Sequence, residues 1–508
     1  MGEHYQALLK HLADVRNINR AQALLDWDQQ VNMPPGGAEA RAAQMGTLSR
    51  IGHELFTGDA TARLLEAAAS EIDGAPYASD EASMIRVVQH DYAERTRIPS
   101  DLVERMTRAR ALAHHAWVEA RHKDDFPSFA PHLERILELT VQSAEYLGYD
   151  EHPYDALIGT YERGMTARRV GEVFDGHRAQ LVDLIAQMRK RMDRANDALL
   201  QGDFEIAKQR DFALAIIKQF GFDFARGRQD VSAHPFAIRF SRGDTRITTR
   251  FNPHDLRPAL FGTMHEAGHA MYEQGIAPEI DGTMLGWGTS LGVHESQSRL
   301  WENLVGRSLG FWHWALPQLA ATFPQFDGID PVAFYRAINT VQLPGVDDST
   351  AGYVRVEADE ATYNLHIMLR FEVELGLVSG AIKVADVQRE WDDRFEAYFG
   401  VRPPSAALGA LQDVHWSSGL VGYFPTYALG NLLSTQYYTA ACRAHPTIPD
   451  EIAAGQFDTL REWMRVNLYQ HGRKFTSDEL TMRVTGDCIQ CGDFIVYLQT
   501  KYGEIYDL

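Results

Sequence analysis

His265-Glu266-Ala267-Gly268-His269 decides the reading of this chain. Residues four apart on a helix share a face, so both imidazoles can point at one metal ion. The glutamate between them can then hold a water activated by that ion, the arrangement a zinc hydrolase needs. The motif requires a helix, and helical periodicity dominates the rest of the chain. Val170, Val173, Phe174, Leu181, Leu184, Ile185 and Met188 recur at three- and four-residue steps after Thr166, which predicts a helix capped by Thr166. Thr476 and Glu479 make a capping box ahead of another helix, with Gly486 as its stop. The stretch from Glu81 to Lys123 is charged and helical in character, and suits an outer wall better than a core.

Strand character is confined mainly to the segment just upstream of the motif. Ala237 to Phe240 and Arg246 to Phe251 alternate small or apolar with polar residues, and Ser241-Arg242-Gly243-Asp244 supplies a turn. This predicts a hairpin whose edge strand lies beside the metal helix, where an extended peptide can pair with it. Met33-Pro34-Pro35-Gly36-Gly37 reads as a loop between helices. No repeat, low-complexity tract or linker divides the chain, so one mostly helical domain over 1–508 is expected.

The chain has 508 residues, 45% hydrophobic and 23% charged, which is ordinary for a soluble globular protein with an extensive core. Its formal net charge of −20 argues against sequence-independent binding to nucleic acid or anionic lipid, which needs local positive charge. Three cysteines imply a reducing compartment, and Cys488 and Cys491 form a lone C-x-x-C without a second pair or a redox context. The N-terminal residues carry neither a secretory profile nor a myristoylation site, and no run of 18 apolar residues occurs. A cytoplasmic protein with no membrane partner is expected.

A catalytic zinc site takes three protein ligands and a water. The best third ligand is Glu295, which follows a Gly-rich loop (Gly282, Gly286, Gly288, Gly292) and begins a helix through Trp301 and Leu304. His294 is its rival, since imidazole binds zinc equally well, but neighbours on a helix point different ways and only one should coordinate. Glu266 would serve as general base, taking a proton from the activated water and passing it to a leaving amine.

Six stretches, the motif among them, occur in a recognisable order: His234-Pro235-Phe236; Asp244-x-Arg246-x-Thr248; the motif at 265–269; His294-Glu295-Ser296-Gln297; Val354-Arg355-x-x-Ala358-Asp359; and Gly409-x-x-Gln412-Asp413-x-His415-Trp416. With Trp27-Asp28-Gln29 and Met33-Pro34, they make the chain resemble the carboxypeptidase Taq family of metallocarboxypeptidases over essentially its whole length. The resemblance implies His265, His269 and Glu295 as ligands of Zn2+, with Co2+ also accepted, and Glu266 as base. It implies a mainly α, two-lobed fold with a deep central groove, to which the hairpin above adds a small antiparallel β element beside the metal helix, and it implies a homodimer.

An enzyme that removes C-terminal residues from peptide substrates must recognise a free carboxylate, which suits the planar, permanently charged fork of arginine. Arg355 and Arg246 are the candidates. The competing account of Arg355 is an i,i+4 ion pair with Asp359, and that of Arg246 is a strand-face charge. The developing oxyanion needs hydrogen-bond donors, and by resemblance these are His415 and Tyr423, with Tyr427 as the alternative. His234, held extended by the following proline, is a further candidate for contact with substrate, the competing account being an anchor for the hairpin. The expected activity is release of single residues from peptide C-termini. The alternatives are an endo-oligopeptidase or dipeptidyl carboxypeptidase on the same scaffold, or a silent binding protein. Aminopeptidase action would need a set of acids gathering the free amine, and none is identifiable.

Overall fold

Capping residues set where the helices begin. In the computed structural model, which describes residues 2–346 and 349–508, Thr166 accepts a hydrogen bond from the Arg169 amide and starts the helix Ala167–Arg189. Its seven periodic apolar residues are all buried. The Thr476 and Glu479 capping box forms, and Gly486 closes that helix in the left-handed conformation that glycine tolerates best. The segment at 33–37 joins the helices Glu3–Val31 and Ala38–Thr57 through a single 3-10 turn, Pro35–Gly37.

The chain is mainly helical and folds into two compact units. The first comprises Met1–Thr96, Ala198–Ile338 and Tyr437–Gly486; the second comprises Arg97–Asp197, Asn339–Gln436 and Asp487–Leu508. In the first, an apolar core gathers Leu8, Leu12 and Val15 of the N-terminal helix with Phe56, Ile276 and Leu285. The helix Asp80–Arg97 joins that core through Met84, Ile85, Val87 and Val88, so this part of the charged stretch is more than an outer wall. Its apolar stripe is buried although its charges dominate the composition. In the second unit the helix Tyr363–Ser379 is buried along nearly its whole length. Among the described residues no helix is long and apolar enough to cross a membrane.

The hairpin forms as β2 (Ala237–Ser241) and β3 (Asp244–Thr249), paired antiparallel with Ala237 opposite Ile247. A third strand, β1 (Gly227–Val231), runs parallel to β3 with Arg228 opposite Arg246. The expected antiparallel hairpin is thus part of a three-stranded mixed sheet, in the order β1-β3-β2. Its edges are β1 and β2. The helix Arg257–Gly275 packs against β3 and β2, and this fixes the motif helix on a rigid support.

Candidate active site

The helix Arg257–Gly275 carries His265, Glu266 and His269, and a second helix, Leu291–Arg299, carries Glu295. Ser290 caps the second helix through the Val293 amide. The two helices meet at Gly268, where a Cβ would stand 2.4 Å from the Gln297 carbonyl oxygen and 2.7 Å from Ser298 Cα. Only glycine permits that approach, which brings Glu295 to the two histidines.

Glu295 Oε2 lies 3.6 Å from His265 Nε2 and 3.4 Å from His269 Nε2. Donors placed about 2.1 Å from one tetrahedral centre are separated by roughly 3.4 Å, so the donor set fits a zinc-sized ion. The other Glu295 oxygen is held by Arg299 Nε at 2.8 Å, four residues on, while Oε2 accepts from Ser298 Oγ at 3.0 Å and faces both histidines. His265 Nδ1 meets Glu302 Oε2 at 2.9 Å. Glu302 sits in a π-helical turn, Leu300–Val305, where a continuing α-helix was expected. Such turns recur at functional sites because they re-aim side chains within a helix. His294 is drawn away from the donor cluster, with Nδ1 2.6 Å from His269 Nδ1 and Nε2 2.9 Å from Glu273 Oε1.

The electrostatics favour one added positive charge. Burial opposes protonation of His265, but Glu295, Glu302 and Glu266 outweigh it and lift its pKa to about 9. Burial lowers His269 to about 4, and the neighbouring His294 and His265 add to that repulsion. The two histidines thus shift oppositely, His265 held charged by the acids around it and His269 held neutral by burial. Burial raises Glu266 to about 7 even though His265 pulls it down. Glu295 is held well below the ordinary carboxylate range despite burial, by Arg299 and both imidazoles.

The remaining expected site residues divide between the units. In the first, Arg246 makes a two-pronged pair with Asp244 at 2.9 and 2.8 Å and lies over the Trp27 ring at 4.3 Å. His234 is exposed, and its carbonyl accepts from Ser232 Oγ. In the second, Arg355 lies in a 3-10 turn and does not pair with Asp359 as a helical i,i+4 geometry would require. Its Nε and Nη2 donate to Asp413 Oδ1 at 3.0 and 2.8 Å, and its Nη1 donates to Tyr363 Oη at 2.8 Å. Asp359 instead accepts from the amides of Gln342, Ala361 and Thr362. Tyr427 Oη lies 3.5 Å from His415 Nε2, and the Tyr423 ring stands 5.6 Å from His415 and 5.3 Å from Tyr427. Burial lowers the His415 pKa to about 4, leaving a neutral imidazole able to donate a hydrogen bond.

Sequence reasoning missed Arg299, Glu302, Glu273 and Asp413. One of these carried a readable signal: Arg299 is four residues after Glu295, on the face of its partner, whereas Glu273 pairs with His294 on the next helix. Glu302 depends on the π turn, and Asp413 on a contact across 58 residues of sequence, neither of which a local pattern reveals.

A helical scaffold that converges two imidazoles and one carboxylate, with a spare buried acid beside them, defines a metal-dependent hydrolase. The family model described as carboxypeptidase Taq (M32) metallopeptidase matches residues 7–502. The chain is 37% identical to thermostable carboxypeptidase 1 of Thermus thermophilus, covering 99% of each. It is similar to the crystal structure of the M32 carboxypeptidase from Deinococcus radiodurans, with a TM-score of 0.94 at 40% identity and full coverage of both chains. A Pyrococcus furiosus carboxypeptidase structure matches with a TM-score of 0.94 at 35% identity over 99% of each chain. The chain belongs to the carboxypeptidase Taq (M32) metallopeptidase family and is a metal-dependent carboxypeptidase.

Proposed function

We propose that the protein releases single amino acids from the C-termini of peptides, with His265, His269 and Glu295 holding Zn2+ or Co2+. The observation that carries the metal assignment is the convergence of three donor atoms within 4.8 Å of one another. A divalent ion held there supplies Lewis acidity, lowering the pKa of water and polarising a carbonyl. Glu266 acts as general base and then as the acid that protonates the leaving amine. A pKa lifted to about 7 supports that role, because proton transfer is most effective near the working pH.

His415 and Tyr423 donate to the developing oxyanion, with Tyr427 as the alternative donor. The low pKa of His415 supports a neutral, donating imidazole. Arg355 or Arg246 receives the terminal carboxylate, and His234 and Tyr427 contact the peptide. In support, three of the five N–H groups of Arg355 are spent within the protein, which leaves part of its fork for a ligand. The protein is proposed to act as one peptidase domain over 1–508, in the cytoplasm, where its three free cysteines stay reduced, and as a homodimer of the kind the family resemblance implies.

The test is digestion of a free-acid peptide and its amidated twin by metal-loaded and chelated enzyme, read by mass spectrometry. One-residue steps on the free acid alone, lost on chelation, are expected. Internal cuts or two-residue steps would overturn the exopeptidase reading in favour of an endo-oligopeptidase or a dipeptidyl carboxypeptidase.

A further inference from the structure

The two histidines of the metal cluster have unlike neighbours behind them. His265 Nδ1 faces a carboxylate, that of Glu302. His269 Nδ1 faces a second imidazole, His294 Nδ1, at 2.6 Å. A contact between two ring nitrogens holds one proton, so one of them must be bare. His269 Nε2 is the atom turned toward Glu295, which leaves its Nδ1 to carry the proton and makes His294 Nδ1 the acceptor. The proton of His294 then resides on Nε2, and Glu273 Oε1 stands 2.9 Å away to receive it. The other Glu273 oxygen faces Arg239 Nε at 3.3 Å. Arg239, on β2, is buried and also donates to Asp281 and to the Gly286 carbonyl.

We propose that His294, Glu273 and Arg239 form a positioning relay that fixes the tautomer and ring plane of His269 and ties them to the sheet. It rests on the assignment of His265, His269 and Glu295 as metal donors. The hydrogen bonds run in one direction, from the His269 proton through His294 to the Glu273 carboxylate, which is ion-paired with the Arg239 guanidinium. Both nitrogens of His294 are consumed by it, so His294 positions a ligand and cannot compete as one. The ring is also confined: the Tyr272 ring lies 5.2 Å away, and a Cβ at Gly288 would come within 2.6 Å of His294 Cδ2. Outer partners of this kind orient ligands and raise their basicity, and losing one weakens metal affinity about 10–100-fold.

The test measures the Zn2+ dissociation constant of the metal-stripped full chain by competition with a chromogenic chelator, beside thermal unfolding of the metal-free form. His294→Phe keeps the ring and the volume but neither nitrogen, and is expected to weaken binding about 10–100-fold. His294→Asn restores an acceptor near the Nδ1 position and is expected to recover a good part of that loss, which a space-filling role would not produce. Zinc binding by His294→Phe equal to that of the parent protein overturns the relay, as does His294→Asn binding no better than the Phe variant. His269→Ala separates the two levels: if it keeps zinc affinity the donor assignment fails, and if it loses affinity while His294→Phe does not, only the relay fails. Should the substituted chains not fold, 15N-histidine NMR of the zinc-loaded parent protein decides. His294 is expected as the Nε2–H tautomer, and the Nδ1–H form overturns the proposal.

Discussion

Replacing Glu266 by glutamine should cost the enzyme its activity and make the metal-free fold more stable. Glu266 is 6% exposed, and among the described residues none donates a hydrogen bond to its carboxylate. Burial lifts its pKa from the ordinary 4.5 to about 7. The folded state therefore binds this proton more tightly than the unfolded chain does. Between pH 4.5 and 7 stability falls as pH rises, and above 7 the whole penalty is present. A separation of that size is worth about 3 kcal/mol at 1.36 kcal/mol per unit. Glutamine occupies the same volume without the charge, so the variant should match the parent protein near pH 4.5 and exceed its stability at pH 8.

Activity should move the other way. A positioned acid–base group contributes about 10²–10⁴ in rate, or about 3–5 kcal/mol of barrier. Zinc affinity should stay close to that of the parent protein, because Glu266 is not among the converging donors. The assays are kcat on a free-acid peptide, zinc content after dialysis, and the thermal midpoint of the chelated protein at pH 5 and pH 8. A variant with kcat within tenfold of the parent protein would refute the general-base role. A metal-free variant less stable than the parent protein at pH 8 would refute the electrostatic account.

Gly268→Ala should weaken zinc binding as well as the fold, by about 1–3 kcal/mol in stability, because a Cβ there pushes on the backbone at Gln297 and Ser298 and displaces Glu295; unchanged chelator competition would contradict this. Asp413→Asn should destabilise the protein by about 3–5 kcal/mol in chemical denaturation, since it leaves the buried Arg355 and Arg370 guanidinium groups without their shared carboxylate. Glu374, fully buried and raised to about 7 by burial, should add a second loss of stability as pH rises from 4.5 to 7. That slope should be absent in Glu374→Gln, and equal pH profiles for the two proteins would exclude it.

The elements legible from sequence are those whose signal is local. A cap hydroxyl, a glycine stop and a 3.6-residue apolar repeat are properties of short windows, so the helices beginning at Ala167 and Ser477 follow directly from their residues. The histidine pair and Glu295 were legible because the helix period places the first two and the chemistry of a mononuclear site demands a third. Strand β1, Gly-Arg-Gln-Asp-Val, escaped because it has no apolar alternation: it is held by parallel pairing with β3 and not by a buried face of its own. The extent to which the helix Asp80–Arg97 is buried escaped for the opposite reason, its charged composition masking four core residues. The partner of Arg355 was not legible, since the i,i+4 pairing with Asp359 presumed a helix where the backbone forms a short 3-10 turn.

The charge balance within each unit supports a substrate that ends in a carboxylate. Around His265 and His269 the nearest acids are Glu295, Glu302 and Glu266, and the protein's own answer to their field is to bind an extra proton on one histidine. Such a site favours a cation. In the second unit the imbalance has the opposite sign: Arg355 and Arg370 share the single carboxylate of Asp413, which their charges hold well below its ordinary range. His415 beside them is neutral, so Asp413 is the one carboxylate, among the described residues, that pairs directly with both guanidinium groups. Burying a net guanidinium charge is costly, and folding alone would be served as well by one arginine as by two. A peptide carboxylate would supply a second anion, and the planar Arg355 fork could receive it by charge-assisted hydrogen bonds. On that argument an amidated peptide should bind more weakly than its free-acid twin even to the inactive Glu266→Gln enzyme. Equal affinity of the two peptides would remove Arg355 from carboxylate recognition while leaving the metal chemistry untouched.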